Sequence, residues 1–241
     1  VVGSSKESNY TSIPKDITVA PTAAYFHITT NETIAGTQWH NLPYDCGVPL
    51  VADMSSDILS RQLDFNKFDL IYAGAQKNMG AAGVNLVVVN KNILGKANRA
   101  IPTILDYRNH IKESSMLNTP PVFAIYVAML TLRWLKNRGG VAVIEKANEA
   151  KAKLFYDTVD ALPLFKTPVA REDRSKMNAV FVMENEALEK EFLETCTANG
   201  IVGIKGHRSV GGFRVSMYNA LNIESVKVLT NLMKDFATRK A

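Results

Sequence analysis

The tightest constraint in this sequence is a pair of short apolar runs, each leading to a side chain able to do chemistry. Pro49-Leu50-Val51-Ala52 leads to Asp53, and Leu70-Ile71-Tyr72-Ala73 leads through Gly74-Ala75-Gln76 to Lys77. Two more runs, Ala24 to Ile28 and Val84 to Val89, flank them. Runs this short and rich in apolar, β-branched residues read as buried strands of a sheet covered on both faces. The stretch from Asp53 to Leu70 is long enough for a crossover, so those two strands are expected to run parallel. The stretch from Ala73 to Val84 is too short for a packed helix, which makes the fourth strand antiparallel. Parallel strands bring Asp53 and Lys77 to one carboxyl edge, where open α/β sheets bind ligands.

Beyond Thr119 the pattern changes. Pro120-Pro121 opens a helix running to about Arg138, and Gly139-Gly140 breaks it. A second long helix is expected from Val141 to about Leu162. It is followed by a strand near Asn178–Met183, a helix near Ala187–Asn199 and a strand at Ile201–Ile204. A loop over Lys205–Gly212 leads to a strand at Phe213–Ser216. The last helix starts at Asn222, with Glu224 where an acid complements the helix dipole. This half is α+β, which sets a boundary near Gly139 and divides the chain into domains 1–138 and 139–241.

Composition excludes more than it selects. At 241 residues, 46% apolar and 21% charged, the chain is an ordinary globular sequence rather than a disordered or fibrous one. Its net charge of +5 comes with no basic run and no aromatic–basic interleaving, so it carries no nucleic-acid footprint. The longest apolar run, Val122 to Leu132, is too short to span a bilayer, and no signal peptide is visible. Cys46 and Cys196 have no paired spacing, which argues against a disulfide framework or a Cys-based zinc site and suits a reducing cytosol. The chain opens on Val1-Val2-Gly3 rather than a Met, as if it began inside a larger protein.

No dinucleotide glycine fingerprint, phosphate-loop lysine, zinc-protease helix or serine elbow occurs. His27, His40 and His110 lack metal-ligand spacing. What remains is an amine and a carboxylate, Lys77 and Asp53, on one sheet edge. That pair suits pyridoxal phosphate, the lysine forming a Schiff base and the acid keeping the pyridine nitrogen protonated. On position alone, Lys77 also reads as a solvated loop residue and Asp53 as a helix cap. A second cluster, Lys205-Gly206-His207-Arg208-Ser209-Val210-Gly211-Gly212-Phe213-Arg214, sets four potential cations and no acid on a glycine-rich loop. It suits a phosphate or dicarboxylate held by Arg forks, and equally a basic surface loop.

Asp53-Met54-Ser55-Ser56, Tyr72-Ala73-Gly74-Ala75-Gln76-Lys77-Asn78 and Lys205 to Arg214 together resemble the phosphoserine aminotransferase family. Asn31-Glu32-Thr33, Asn118-Thr119-Pro120 and Arg174-Ser175-Lys176-Met177-Asn178 fit it too, in the same order. The resemblance implies an α/β, aspartate-aminotransferase-like architecture (PLP fold type I). A partial, mostly parallel sheet of the large domain would be joined to a C-terminal α+β small domain. It also implies a cytoplasmic homodimer with shared active sites. The implied reaction is pyridoxal 5'-phosphate-dependent transamination between 3-phosphohydroxypyruvate and glutamate, giving phosphoserine for serine biosynthesis. Phosphohydroxythreonine, used in vitamin B6 synthesis, would be a second substrate.

By the same resemblance, Lys77 would be the Schiff-base lysine and proton carrier, and Asp53 would pair with the pyridine nitrogen. Thr33 would contact the O3′ side of the ring, and Gln76 would also touch the cofactor. Asn118 and Thr119 would reach the cofactor phosphate in the other subunit. His207 and Arg208 would bind the substrate phosphate, and Arg214 its carboxylate. No metal, nucleic acid or membrane is implied. The family carries roughly its first third ahead of the point where Val1 falls, with a phosphate loop, a ring-stacking aromatic and a His-Arg pair. The chain is therefore expected to be a fragment, inactive alone. Two alternatives compete: a cysteine desulfurase-like lyase of the same fold, which would usually place a His where Gln76 stands, and a truncated, non-catalytic binding protein, which would not need this set of residues together.

Overall fold

The computed structural model describes residues 1–240. Phe26–Thr29 (β1), Leu50–Asp53 (β2), Leu70–Gly74 (β3) and Asn85–Val89 (β4) form one sheet in that order. The first three strands are parallel and β4 is antiparallel to β3, as their connection lengths require. The β2–β3 crossover holds no α-helix. It makes a turn at Met54–Ile58 and one 3-10 turn at Phe65–Lys67, capped by the Asp64 side chain accepting from the Asn66 amide.

Burial alternates along the strands, with Phe26, Ile28, Leu50, Ala52, Ile71 and Ala73 buried. Their neighbours His27, Thr29, Val51, Asp53, Leu70 and Tyr72 are half-buried or exposed. Within this chain the sheet is thus covered on one face, not on both as the apolar runs suggest. The covering layer consists of Met54, Ile58, Phe68 and Met79 with loop residues such as Trp39, Leu42 and Tyr44.

After β4, Tyr107–Lys112 (α1) is capped by Asp106, whose carboxylate accepts from the Arg108 amide. Val122–Asn137 (α2) buries only Ala124, Ala128 and Leu135, leaving Val122, Phe123 and Tyr126 exposed. Gly139 and Gly140, at φ 99° and 76°, end that run with backbone that favours glycine.

The remainder folds around a second sheet. Val141–Ala161 (α3) leads to Phe165–Lys166 (β5), Asn178–Met183 (β6), Glu189–Ala198 (α4), Phe213–Ser216 (β7) and Ile223–Lys240 (α5). Strands β5, β6 and β7 pair antiparallel in that order. Their core is aromatic, with Phe155, Phe165, Phe181, Phe192, Phe213 and Phe236 all buried. Ile201–Ile204 does not form the expected strand. Gly203 there has φ 71°, outside any ladder, and pairing is confined to one bridge, Lys205 to Phe213. Among the described residues, no helix is long and apolar enough to cross a membrane.

A polar seam joins the two halves. Asn31 donates to Asn178 at 2.9 Å, Lys176 N–H to Gln38 Oε1 at 3.0 Å, and Asn148 to the Ser60 carbonyl at 3.0 Å. The Ser175 hydroxyl donates to Asn31, and the Ile13 amide donates to Asp173 at 2.8 Å.

Candidate active site

The parallel register sets Thr29, Asp53 and Tyr72 side by side on one face at the carboxyl edge. Asp53 is held from two directions. Its backbone carbonyl accepts from the amide and hydroxyl of Thr30 at 3.0 and 3.2 Å, and its carboxylate accepts from the Ser55 amide at 2.8 Å. The Ser55 hydroxyl in turn accepts from the Gly74 amide at 3.0 Å, tying the end of β2 to the end of β3. Tyr72 shares a 3.0 Å hydrogen bond with His27 Nε2, and burial followed by the Asp53 charge raises its phenol pKa.

Gln76 and Lys77 lie in the turn that follows β3. The Ala75 amide donates to the Val84 carbonyl at 3.0 Å, and the amides of Met79 and Gly80 donate to the Ala75 carbonyl, closing the turn. Gln76 folds back on Gly74, where an added Cβ would lie 2.5 Å from its side-chain oxygen. Lys77 is half-buried, its Nζ 5.3 Å from the centre of the Tyr218 ring. Next to it, Asn78 donates to the Ile58 carbonyl and accepts from the Asn219 amide, both at 3.0 Å.

The second half contributes Arg214 from β7. One terminal nitrogen reaches the Thr33 carbonyl at 3.4 Å, while its buried Nε has no hydrogen-bond partner. The basic loop before it is pinched at its base: the Gly206 amide donates to the Gly212 carbonyl at 2.8 Å, and an added Cβ on Gly206 would lie 2.0 Å from the Gly211 oxygen. His207 Nδ1 is 2.6 Å from the Ser209 hydroxyl. Arg208 is exposed. None of Asp53, Lys77, Arg208 and Arg214 forms an ion pair among the described residues.

Register and hydrogen bonds thus tie Asp53 to the end of β3, from which Gln76 and Lys77 follow, and separately tie Arg214 of β7 to Thr33. Asn118 and Thr119 are brought to neither. They lie in an exposed loop before α2, where the Asn118 amide donates to the Thr119 carbonyl at 3.1 Å. A cavity of about 670 Å³ is lined by Ile17, Trp39, His40, Cys46 and Asp173 and includes none of the expected site residues. A cavity of about 630 Å³ between Tyr10, Glu32, Ser209 and Val210 flanks the basic loop. Tyr218 went unpredicted, since nothing local in the sequence marks a tyrosine 141 positions from the lysine it faces.

The family model of class-V aminotransferases matches residues 4–229. The chain is 56% identical over 239 residues to the phosphoserine aminotransferase of Flavobacterium psychrophilum, covering 99% of this chain and 67% of that protein. The solved phosphoserine aminotransferase from Bacillus circulans subsp. alkalophilus superposes with a TM-score of 0.96 at 44% identity, covering 100% of this chain and 68% of that one. A structure describing radiation damage of the Schiff base in phosphoserine aminotransferase superposes at 0.95 and 46% identity, covering 99% of this chain and 67% of the other. The chain spans about two thirds of the length of these relatives.

Proposed function

Because the chain belongs to the class-V aminotransferases and, within them, to the phosphoserine aminotransferase family, we propose that its edge site serves pyridoxal-phosphate-dependent transamination of a phosphorylated amino acid. The observation that supports this reading is that Asp53, at the end of β2, is tied through Ser55 to the end of β3, from which Lys77 follows, while Arg214 of β7 reaches the Thr33 carbonyl and keeps a buried Nε without a hydrogen-bond partner. The donor set fits the cofactor. Asp53 is an acceptor for a protonated ring nitrogen, Lys77 is an amine for an aldehyde, and the orphaned Arg214 nitrogen calls for an anion. When bound, pyridoxal phosphate supplies an electron sink for the pair left on the substrate's α-carbon.

The protein's own groups do the rest. Lys77 would hold the cofactor through its amine and would carry a proton between the substrate α-carbon and C4′. Asp53 would keep the pyridine nitrogen protonated, its carboxylate held by the Ser55 amide and its backbone carbonyl by Thr30. Thr33 would contact the O3′ side of the ring, and Gln76 would also touch the cofactor. His207 and Arg208 grip the substrate phosphate on the pinched loop, and Arg214 takes the carboxylate. Glutamate would donate its amino group to 3-phosphohydroxypyruvate, giving phosphoserine and 2-oxoglutarate, with phosphohydroxythreonine as a second substrate. Asn118 and Thr119, distant from Lys77 within one chain, would serve the cofactor phosphate of a second copy in a homodimer. Residues 1–138 would carry the cofactor and 139–241 the substrate clamp, with full turnover assigned to a chain of the relatives' length.

The desulfurase alternative needs a cysteine at the site. Cys196 is enclosed in the aromatic core, and Cys46 donates to the Val48 carbonyl beside a different cavity. Mixing the purified protein with pyridoxal phosphate is expected to give a visible absorption band that Lys77→Ala abolishes. A band equally strong in that variant would refute the assignment of Lys77, and no band in either would refute cofactor binding by this chain.

A further inference from the structure

Lys151 is 1% exposed on α3, and its hydrogen-bond partners are two backbone carbonyls, Met217 at 3.0 Å and Tyr218 at 2.8 Å. An ammonium buried so deeply without a counter-charge is unfavourable, because it has three protons for two acceptors. Burial lowers its pKa to about 8. A methionine would fill similar space without that penalty. What the ammonium adds is two hydrogen bonds, and both land on the linker between β7 and α5.

That linker is fixed at further points: the Met217 amide donates to the Met177 carbonyl at 2.7 Å and the Asn219 side chain to the Leu59 carbonyl at 3.0 Å. Asn148, one turn earlier on the same face of α3, donates to Asn219 Oδ1 at 2.9 Å. The Asn219 amide donates to Asn78, the neighbour of Lys77, and the Tyr218 hydroxyl is 3.1 Å from Asn178 Nδ2. The object held between these anchors is the Tyr218 ring, 5.3 Å from Lys77 Nζ. We propose that Lys151 is a positioning residue for the Lys77 amine: it fixes the Met217–Tyr218 backbone so that the Tyr218 ring backs the amine and holds it in one direction. The inference deepens the functional reading above and rests on Lys77 being the amine that reacts.

The test needs no cofactor. The reactivity of Lys77 toward trinitrobenzenesulfonate is measured in the 241-residue chain by mass spectrometry of its peptides, with exposed Lys146 as internal reference. Tyr218→Leu is expected to speed labelling of Lys77 about two- to fivefold, the factor that corresponds to losing an exposed cation–ring contact, while Tyr218→Phe leaves it unchanged. Lys151→Met should give the same rise, and adding it to Tyr218→Leu should give nothing more, as two residues on one path behave. General loosening would speed Lys146 as well. An unchanged Lys77 rate in Lys151→Met, or effects that add, overturns the proposal. Should Lys151→Met fail to fold, Tyr218→Leu decides alone, since an unchanged Lys77 rate there also refutes it. Absence of a visible band with pyridoxal phosphate, alongside the expected labelling pattern, would sink the cofactor assignment and leave this coupling standing.

Discussion

Lys151 also makes a prediction about stability, because its amine titrates in a different range folded and unfolded. Burial lowers the folded pKa from 10.5 to about 8. Between those values the unfolded chain binds more protons, so folding becomes more favourable as pH rises through the window and loses that gain as pH falls back through 8. The difference in unfolding free energy between the native sequence and Lys151→Met should therefore grow from pH 8 to pH 10.5, by at most about 3 kcal/mol. Urea midpoints across that range measure it, and a flat difference contradicts it. Asp53 and Lys77 were legible in the sequence because each follows an apolar run, and strand geometry converts that position into a place on an edge. Lys151 was not legible. Its helix reads as a charged, solvated one rich in Glu, Lys and Ala, and only the tertiary contact with Met217 and Tyr218 shows that one of its lysines faces inward.

At the scale of elements, the turn carrying Lys77 and helix α2 meet with almost no room. An added Cβ on Gly80 would stand 2.9 Å from the Ala128 Cα, and backbone cannot swing aside as a side chain can. Gly80→Ala is expected to destabilise the fold by about 1–3 kcal/mol, as overpacking of a tight contact does. Chemical denaturation tests this directly: a change below about 0.5 kcal/mol, the range of neutral surface substitutions, would mean that the two elements can separate freely. Strands β1 to β4 and β6 to β7 were readable because their apolar runs end on turn residues. Two features were not. Strand β5 is two residues long and leaves no periodic signature. Ile201–Ile204 has the apolar content of a strand, but Gly203 turns the backbone into a region where no ladder can continue. The open face of the main sheet has no signature in the sequence for a related reason: Val51 and Leu70 are apolar yet half-buried, so a continuous apolar run does not prove two covered faces.

For the molecule as a whole, two separate cores raise the question of whether the halves behave independently. Multi-domain chains often do, and their unfolding is then not a single step. Here the seam crosses the site itself. Asn78 beside Lys77 accepts from the Asn219 amide, Asn148 donates to the Ser60 carbonyl, and the Thr33 carbonyl accepts from Arg214. Loosening either half would strand buried polar groups belonging to the other, each worth about 1–3 kcal/mol when left unpaired. Scanning calorimetry should accordingly record one endotherm, with van't Hoff and calorimetric enthalpies in agreement, rather than two resolved peaks. A chain wired in this way is expected to lose its sheet edge and its aromatic core together, so heating should abolish any ligand bound at that edge and the last of the tertiary near-UV dichroism at the same temperature.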